Sequence, residues 1–338
     1  MRRTIWSALV VSALLAAAPA TASAAKTAIV YDDFDSPGYD AASYAAKWSN
    51  AYGPGELAAG GTQTFIGGRE VVAAAPFQTA FDFSVFDHIK YIAVSTETFP
   101  VPKAGSITFG ATMTAQTRGV EPGRTVTGTY VQSGAPYSAR LLDSQQAGVV
   151  MNVVDFCTGQ LFDWFLTSNK AAPLIERLPS NVTGNTSNPA CPGATHVGRD
   201  KMYTQFIKEI PVTPGVPHRM EITFSRQPSG GSSVTYLLDG RKVARVRNVG
   251  IPLDRQGVPY TGVYPSLGPG EQLGSQINSL SLAHGLFSVL DAFPFQHPEA
   301  PELAVSVPVS QRIFGQGAIG SWDDFTVVTK GSAKAGRK

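Results

Sequence analysis

The sequence is poor in charge, cysteine and histidine, and each scarcity removes a class of protein. Charged residues make up only 15% of 338, beside 34 glycines and 24 prolines. That balance argues against helical bundles and suits many strands joined by turns. There are two cysteines, Cys157 and Cys191, and five histidines. No two histidines have the spacing of a zinc motif, and two cysteines without a histidine cluster do not make a metal centre. A Gly-x-Ser-x-Gly elbow and a Gly-x-x-x-x-Gly-Lys phosphate loop are both missing. Past its first residues the chain has no apolar run long enough for a membrane helix.

Those first residues read as an export signal. Arg2 and Arg3 form the basic start, residues 5–18 the apolar segment, and Ala22-Ser23-Ala24 the small-residue cleavage site, so 1–24 is expected to be removed. The paired arginines leave the general and the twin-arginine routes both open. Without them, 25 basic residues (27 less these two) stand against 25 acidic ones. Lys330, Lys334, Arg337 and Lys338 sit in a Gly/Ser/Ala tail, 330–338, that reads as disordered. The body that remains is mildly acidic, which argues against a nucleic-acid partner. An exported, secreted chain with two cysteines is expected to pair them. A Cys157–Cys191 bridge would be worth about 3–4 kcal/mol on the chain-entropy model; two free thiols are the alternative.

Residues 25–329 contain no internal repeat and no linker, and they are long enough for one large all-β domain. Asp40 caps a short helix with Tyr44 and Trp48 on one face. Strand signals then follow one another, broken by Gly, Pro and Asn clusters. Residues 161–178 read as a hairpin turning at 168–170, with Pro173 an obstacle to a regular ladder. Residues 179–200 are a polar excursion, in which Asn181 and Asn185 begin glycosylation-type triplets. Residues 203–212 alternate as a strand, Asp239-Gly240 marks a tight turn, and 279–293 reads as a buried strand. Two acidic β-prone segments frame the whole: Tyr31-Asp32-Asp33-Phe34-Asp35 and Ser321-Trp322-Asp323-Asp324-Phe325. Such ends suit first and last strands lying side by side.

The run Pro217-His218-Arg219-Met220-Glu221-Ile222-Thr223-Phe224-Ser225, followed by 234–246 with its Asp-Gly turn, resembles the concanavalin A-like lectin/glucanase superfamily. Residues 106–117 resemble that superfamily's early sheet strand, and the Asp-Asp-Phe ends its first and last strands. The chain also looks like an actinobacterial exported family with no assigned activity. The resemblance implies a two-sheet antiparallel jelly-roll sandwich with a concave groove that meets carbohydrate. It also implies a cation near the joined termini, so Asp33, Asp35, Asp323 and Asp324 are candidate ligands of a structural Ca²⁺. The glucanase motif Glu-x-Asp-x-x-Glu is absent, which puts that activity in doubt.

Other carboxylates are candidates for catalysis. With a turn at Asn169-Lys170, Asp163 stands directly opposite Glu176, with Cβ atoms about 4.5–5.5 Å apart. Two like charges so placed need a shared proton or a cation, and such a pair suits glycoside hydrolysis. Glu209 is a third candidate acid or base. Asn152, Asp155 and Gln205 are in-phase polar positions able to hydrogen-bond sugar hydroxyls, and Trp164 or Tyr203 could stack on a sugar face; burial of Trp164 in the core is the plain alternative. Tyr203 and Gln205 with Arg177 or Arg219 also imitate a polysaccharide lyase, although the local lyase motifs are missing. The leading expectation is a non-catalytic module binding a polysaccharide or cell-envelope glycan. A glycoside hydrolase or polysaccharide lyase is the alternative, and a structural exported domain without ligand the third.

Overall fold

A computed structural model describes residues 26–50, 61–78, 88–261, 266, 268–292, 302 and 304–331. The export signal and residues 332–338 of the tail lie outside the described residues, as does Gly53-Pro54-Gly55, whose sequence reads as a turn.

Alternation of apolar and polar side chains builds the first sheet. In His218–Arg226, Met220, Ile222 and Phe224 are buried while Arg219, Glu221 and Thr223 are half-buried on the other face. This strand is followed by Ser232–Leu238 and Arg241–Arg247. Asp239 and Gly240 make the tight turn between the last two with φ of 51° and 74°, the left-handed pair expected of a two-residue hairpin. The antiparallel order is Arg241–Arg247, Ser232–Leu238, His218–Arg226, Gly105–Arg118, Gly317–Gly331, Glu70–Ala74, Thr62–Phe65. The first strand, Lys26–Asp32, pairs antiparallel with the last, from Lys26 opposite Lys330 to Asp32 opposite Phe325. Phe34 and Phe325 stack edge to face, ring centres 6.1 Å apart. The ends are neighbours as expected, and the last strand runs through Gly331, two residues into the segment read as tail.

The second sheet does not alternate. Gly148–Asp155 and Gln160–Leu166 are buried at every position, because both faces are covered. Its order is Tyr203–Phe206, Lys170–Arg177, Gln160–Leu166, Gly148–Asp155, Ser279–Phe287, Ile89–Ser95, Trp48–Ser49. One face packs on the first sheet. Half of the other carries a small sheet of Thr125–Tyr130, Pro136–Arg140 and Val305–Ser306, whose Val126 and Val305 join Val150, Phe165, Leu174 and Phe206 in a second apolar cluster. The molecule is thus the expected all-β antiparallel jelly-roll sandwich. The helix capped by Asp40 spans Ala41–Lys47, with Ser43 N donating to Asp40 at 2.9 Å.

Three hydrogen bonds stitch the layers. Trp164 Nε1 donates to Glu221 O at 3.0 Å, Trp322 Nε1 to Val150 O at 3.1 Å, and Tyr236 OH to Leu174 O at 2.5 Å. Two expected strands are shorter than read. Residues 203–212 divide into Tyr203–Phe206 and Ile210–Pro211, and Ser279–Phe287 ends before a 3₁₀ turn over Val289–Ala292. Pro173 is accommodated between these short partners. It offers only its carbonyl, to Ile207 N at 2.9 Å.

Candidate functional site

The hairpin of Gln160–Leu166 and Lys170–Arg177 turns one residue earlier than expected. Thr167 N donates to Lys170 O at 2.8 Å, leaving Ser168-Asn169 as the tip. Moving the centre by one residue moves the register by two. Asp163 therefore faces Leu174, and Glu176 faces Leu161; the directly opposed pair is corrected to a diagonal one. A two-residue slip preserves the face, so both carboxyls still project from the outer face of the second sheet, away from the first.

Asn152 lies opposite Asp163, and Thr204 opposite Glu176. Asn152 Nδ2 donates to Asp163 Oδ1 at 2.8 Å, and Thr204 Oγ1 to Glu176 Oε1 at 2.5 Å. The four form a polar strip between two apolar patches. On one side lies the cluster under the small sheet, and on the other Val154, Leu161, Leu178 and Val182. Asp163 is 1% exposed and Glu176 half-buried, so Glu176 stands toward solvent and Asp163 beneath. Burial pushes the Glu176 carboxyl up to about 7. Asp163 is driven well above the usual carboxylate range by burial first and by Glu176 second. Asp163 Oδ2 and Asn152 Oδ1 are buried without a hydrogen-bond partner. Both carboxyls thus hold their protons to higher pH than ordinary carboxylates, and Glu176 is the member that meets solvent.

The other expected site residues are elsewhere. Trp164 (0% exposed) and Tyr203 (2%) lie in the core between the sheets, and Tyr203 OH donates to Gln160 Oε1 at 2.8 Å. Neither offers a stacking face on the outer strip. Gln205 is also on the inner face, donating to Asp254 Oδ1 at 2.8 Å and accepting from Leu253 N at 2.6 Å. Asp155 is one strand position out of phase with Asn152 and caps a turn, accepting from Cys157 N at 3.1 Å and Thr158 Oγ1 at 2.7 Å. Glu209 precedes Ile210–Pro211, which pairs with the Lys170 end of its neighbour, and accepts from Ser144 N and Oγ at 3.2 and 3.0 Å. The outer strip thus keeps Asp163, Glu176 and Asn152 and gains Thr204, whose polarity in a short strand was the available signal.

Cys157 and Cys191 are bridged, Cα atoms 5.1 Å apart. Asn185 is fully buried and donates to Cys157 O and Thr195 O at 2.9 and 3.0 Å. It is an internal strut of the excursion, whereas Asn181 is exposed.

At the joined termini, Asp32 is the buried acid, receiving Tyr39 OH at 2.6 Å, Lys47 Nζ at 2.8 Å and Trp48 Nε1 at 2.8 Å. Asp33 Oδ1 accepts from Asp35 N at 3.3 Å, and Asp323 Oδ1 from Asp324 N at 2.6 Å. Burial, then Asp324 and Asp35, push the Asp323 carboxyl up to about 6. Among the described residues no group of three or more His, Cys, Asp or Glu side chains is placed to hold a metal ion. Any ion here would need backbone oxygens as well.

A second buried network went unread in the sequence. Glu70 and His284, both 0% exposed, meet at 2.6 Å between the sheets. Tyr91 OH and Gln63 Nε2 each donate to Glu70 at 2.8 Å, and Tyr44 OH lies 3.0 Å from His284 Nε2. A histidine inside the apolar run 280–287 was the signal. Trp48, Trp322 and Phe325 pack around its ring, so it is closed to a ligand.

The chain is similar in fold to a Bacillus licheniformis β-glucanase, with 9% identity, TM-score 0.34, and coverage of 92% of this chain and 99% of that one. For β-agarase B from Zobellia galactanivorans the values are 11%, 0.45, 92% and 96%. For the potassium-bound carbohydrate recognition domain of Emp46p they are 7%, 0.35, 87% and 93%. No curated protein matches the chain in sequence. Residues 31–331 match the model of a family of unknown function, DUF6081, and the chain belongs to that family.

Proposed function

We propose that the chain recognises a glycan on the outer face of the second sheet at Glu176, the half-exposed member of the strip, backed by buried Asn152, Asp163 and Thr204. The observation that carries this reading is the Asp163–Glu176 pair. Two carboxyls with upward-shifted titration, fixed by a threonine and an asparagine, suit a ligand rich in hydroxyls that both donate and accept. Trp164 and Tyr203 have no part in it, so affinity rests on hydrogen bonds more than on stacking. The same raised titration favours a second reading, glycoside hydrolysis, with Glu176 as the solvent-facing acid and Asp163 as its partner.

A polysaccharide panel separates the two. A binder is retained without turnover, and Asp163→Asn with Glu176→Ala releases it. A hydrolase liberates reducing ends, and Glu176→Gln stops the release while binding persists. Neither response from any glycan would leave the structural role alone standing.

Two further parts of this reading concern the molecule's setting. The disulfide and the absence, among the described residues, of a helix able to cross a membrane support export; sequencing the secreted protein should find its start near Ala25. The crowding of Asp323 with Asp324 and Asp35 supports a structural calcium ion held by Asp35 and Asp323 with backbone oxygens, Asp33 and Asp324 flanking it. Millimolar calcium should raise the melting temperature by several degrees. Identical melting with calcium and with chelator would remove the ion from the reading.

A further inference from the structure

A cavity of about 430 Å³ opens beside the disulfide, within the range of about 300–1,000 Å³ typical of small-molecule sites. Asp155, Thr158, Arg177, Asn278 and the Cys157–Cys191 bridge line it. Arg177 follows Glu176 on its strand and projects from the opposite face, so this cavity is separate from the outer strip.

Arg177 is 1% exposed. Its Nε donates to Thr158 O at 3.2 Å and its Nη2 to Glu271 Oε2 at 2.9 Å. Nη1 is buried and has no hydrogen-bond partner. A guanidinium nitrogen in that condition lacks an acceptor oxygen. Asp155 is 2% exposed, and burial pushes its carboxyl up to about 6, so it is largely ionised at neutral pH and can accept further hydroxyl protons.

Charge decides what kind of oxygen is missing. Arg177 shares the Glu271 carboxylate with Lys201, whose Nζ lies 2.5 Å from it. Asp155 adds a negative charge to the wall. Two cations and two carboxylates thus balance, and an anionic ligand would add an unmatched charge. A neutral polyol offers an acceptor to Nη1 and hydroxyl donors to Asp155, with Asn278 able to serve either role. We infer that this cavity binds a neutral polyhydroxylated small molecule, of monosaccharide to disaccharide size.

The test is a titration of the isotope-labelled full chain, followed by amide chemical shifts at pH 7.5. The probes are methyl α-glucoside, methyl β-galactoside, methyl α-mannoside and maltose, with glucuronate as the charged control. Expected are saturating shifts confined to the lining, at 155–158, 177, 190–195 and 276–279, for at least one neutral probe, and affinity lower by about tenfold or more for glucuronate. Because a variant at buried Arg177 is a folding risk, the cavity is filled instead from its half-exposed loop with Ala194→Trp. That variant should lose the shifts, and Glu176→Ala should keep them. No shift with any neutral probe, equal binding of glucuronate, or shifts that survive Ala194→Trp would overturn the inference. None of these outcomes bears on the outer strip, which is read through Glu176.

Discussion

Asp163 and Glu176 are set one above the other, with solvent reaching only the second. Both titrate above the ordinary carboxylate range. Between the usual glutamate value of 4.5 and about 7, the folded chain keeps a proton that the unfolded chain releases. Stability from this source is full below about pH 4 and is lost as pH rises through Glu176's folded value. Glu176→Gln carries no such proton. At pH 8 it should gain on the wild type by about 1–3 kcal/mol, and at pH 4.5 the gain should vanish. Urea midpoints at the two values read the difference, and a gain independent of pH would return Glu176 to the ordinary range. At this scale the sequence was only partly legible. Acids at 163 and 176 stand out in an apolar hairpin, but inward and outward positions do not, because both faces of the strands are covered. Tyr203 was therefore readable as a surface aromatic and Trp164 as either surface or core, although both fill the core.

Elements were more legible than faces. The Asp239-Gly240 hairpin, the Asp40-capped helix and the disulfide follow from local chemistry, and all three are present. The register of 161–177 was missed because the tip offers two centres one residue apart, and the bond from Thr167 N to Lys170 O selects the earlier. The 179–200 excursion is held by the Cys157–Cys191 bridge and by buried Asn185. Replacing both cysteines by serine should cost about 3–4 kcal/mol of unfolding free energy, read by denaturant titration. A loss under about 1 kcal/mol would assign the excursion's order to Asn185 and its neighbours instead.

The molecule as a whole closes at its termini. Lys26–Asp32 pairs with the last strand, and buried Asp32 receives three donors from elsewhere in the chain, of which Trp48 Nε1 is buried. Removing residues 26–33 would leave Trp48 Nε1 without its acceptor and empty the place of Tyr31 in the core. The truncated chain should lose its cooperative melting transition, and retention of a sharp transition would reduce the terminal pairing to decoration. This closure was the most legible global feature, since both ends carry the same acidic β-prone pattern. The Glu70–His284 network at the centre of the sandwich was not, because its members come from separate strands and only the fold assembles them.

What the assembled face does is decided by its response to polysaccharide. Native electrophoresis through gels cast with laminarin, xylan, alginate or agarose compares the wild type with Glu176→Ala and Ala194→Trp. Slowing of the wild type by at least one polymer, weakened about tenfold in Glu176→Ala and untouched in Ala194→Trp, is the expected result. Free migration in every gel, or slowing that ignores Glu176, would leave the outer strip without a glycan to recognise.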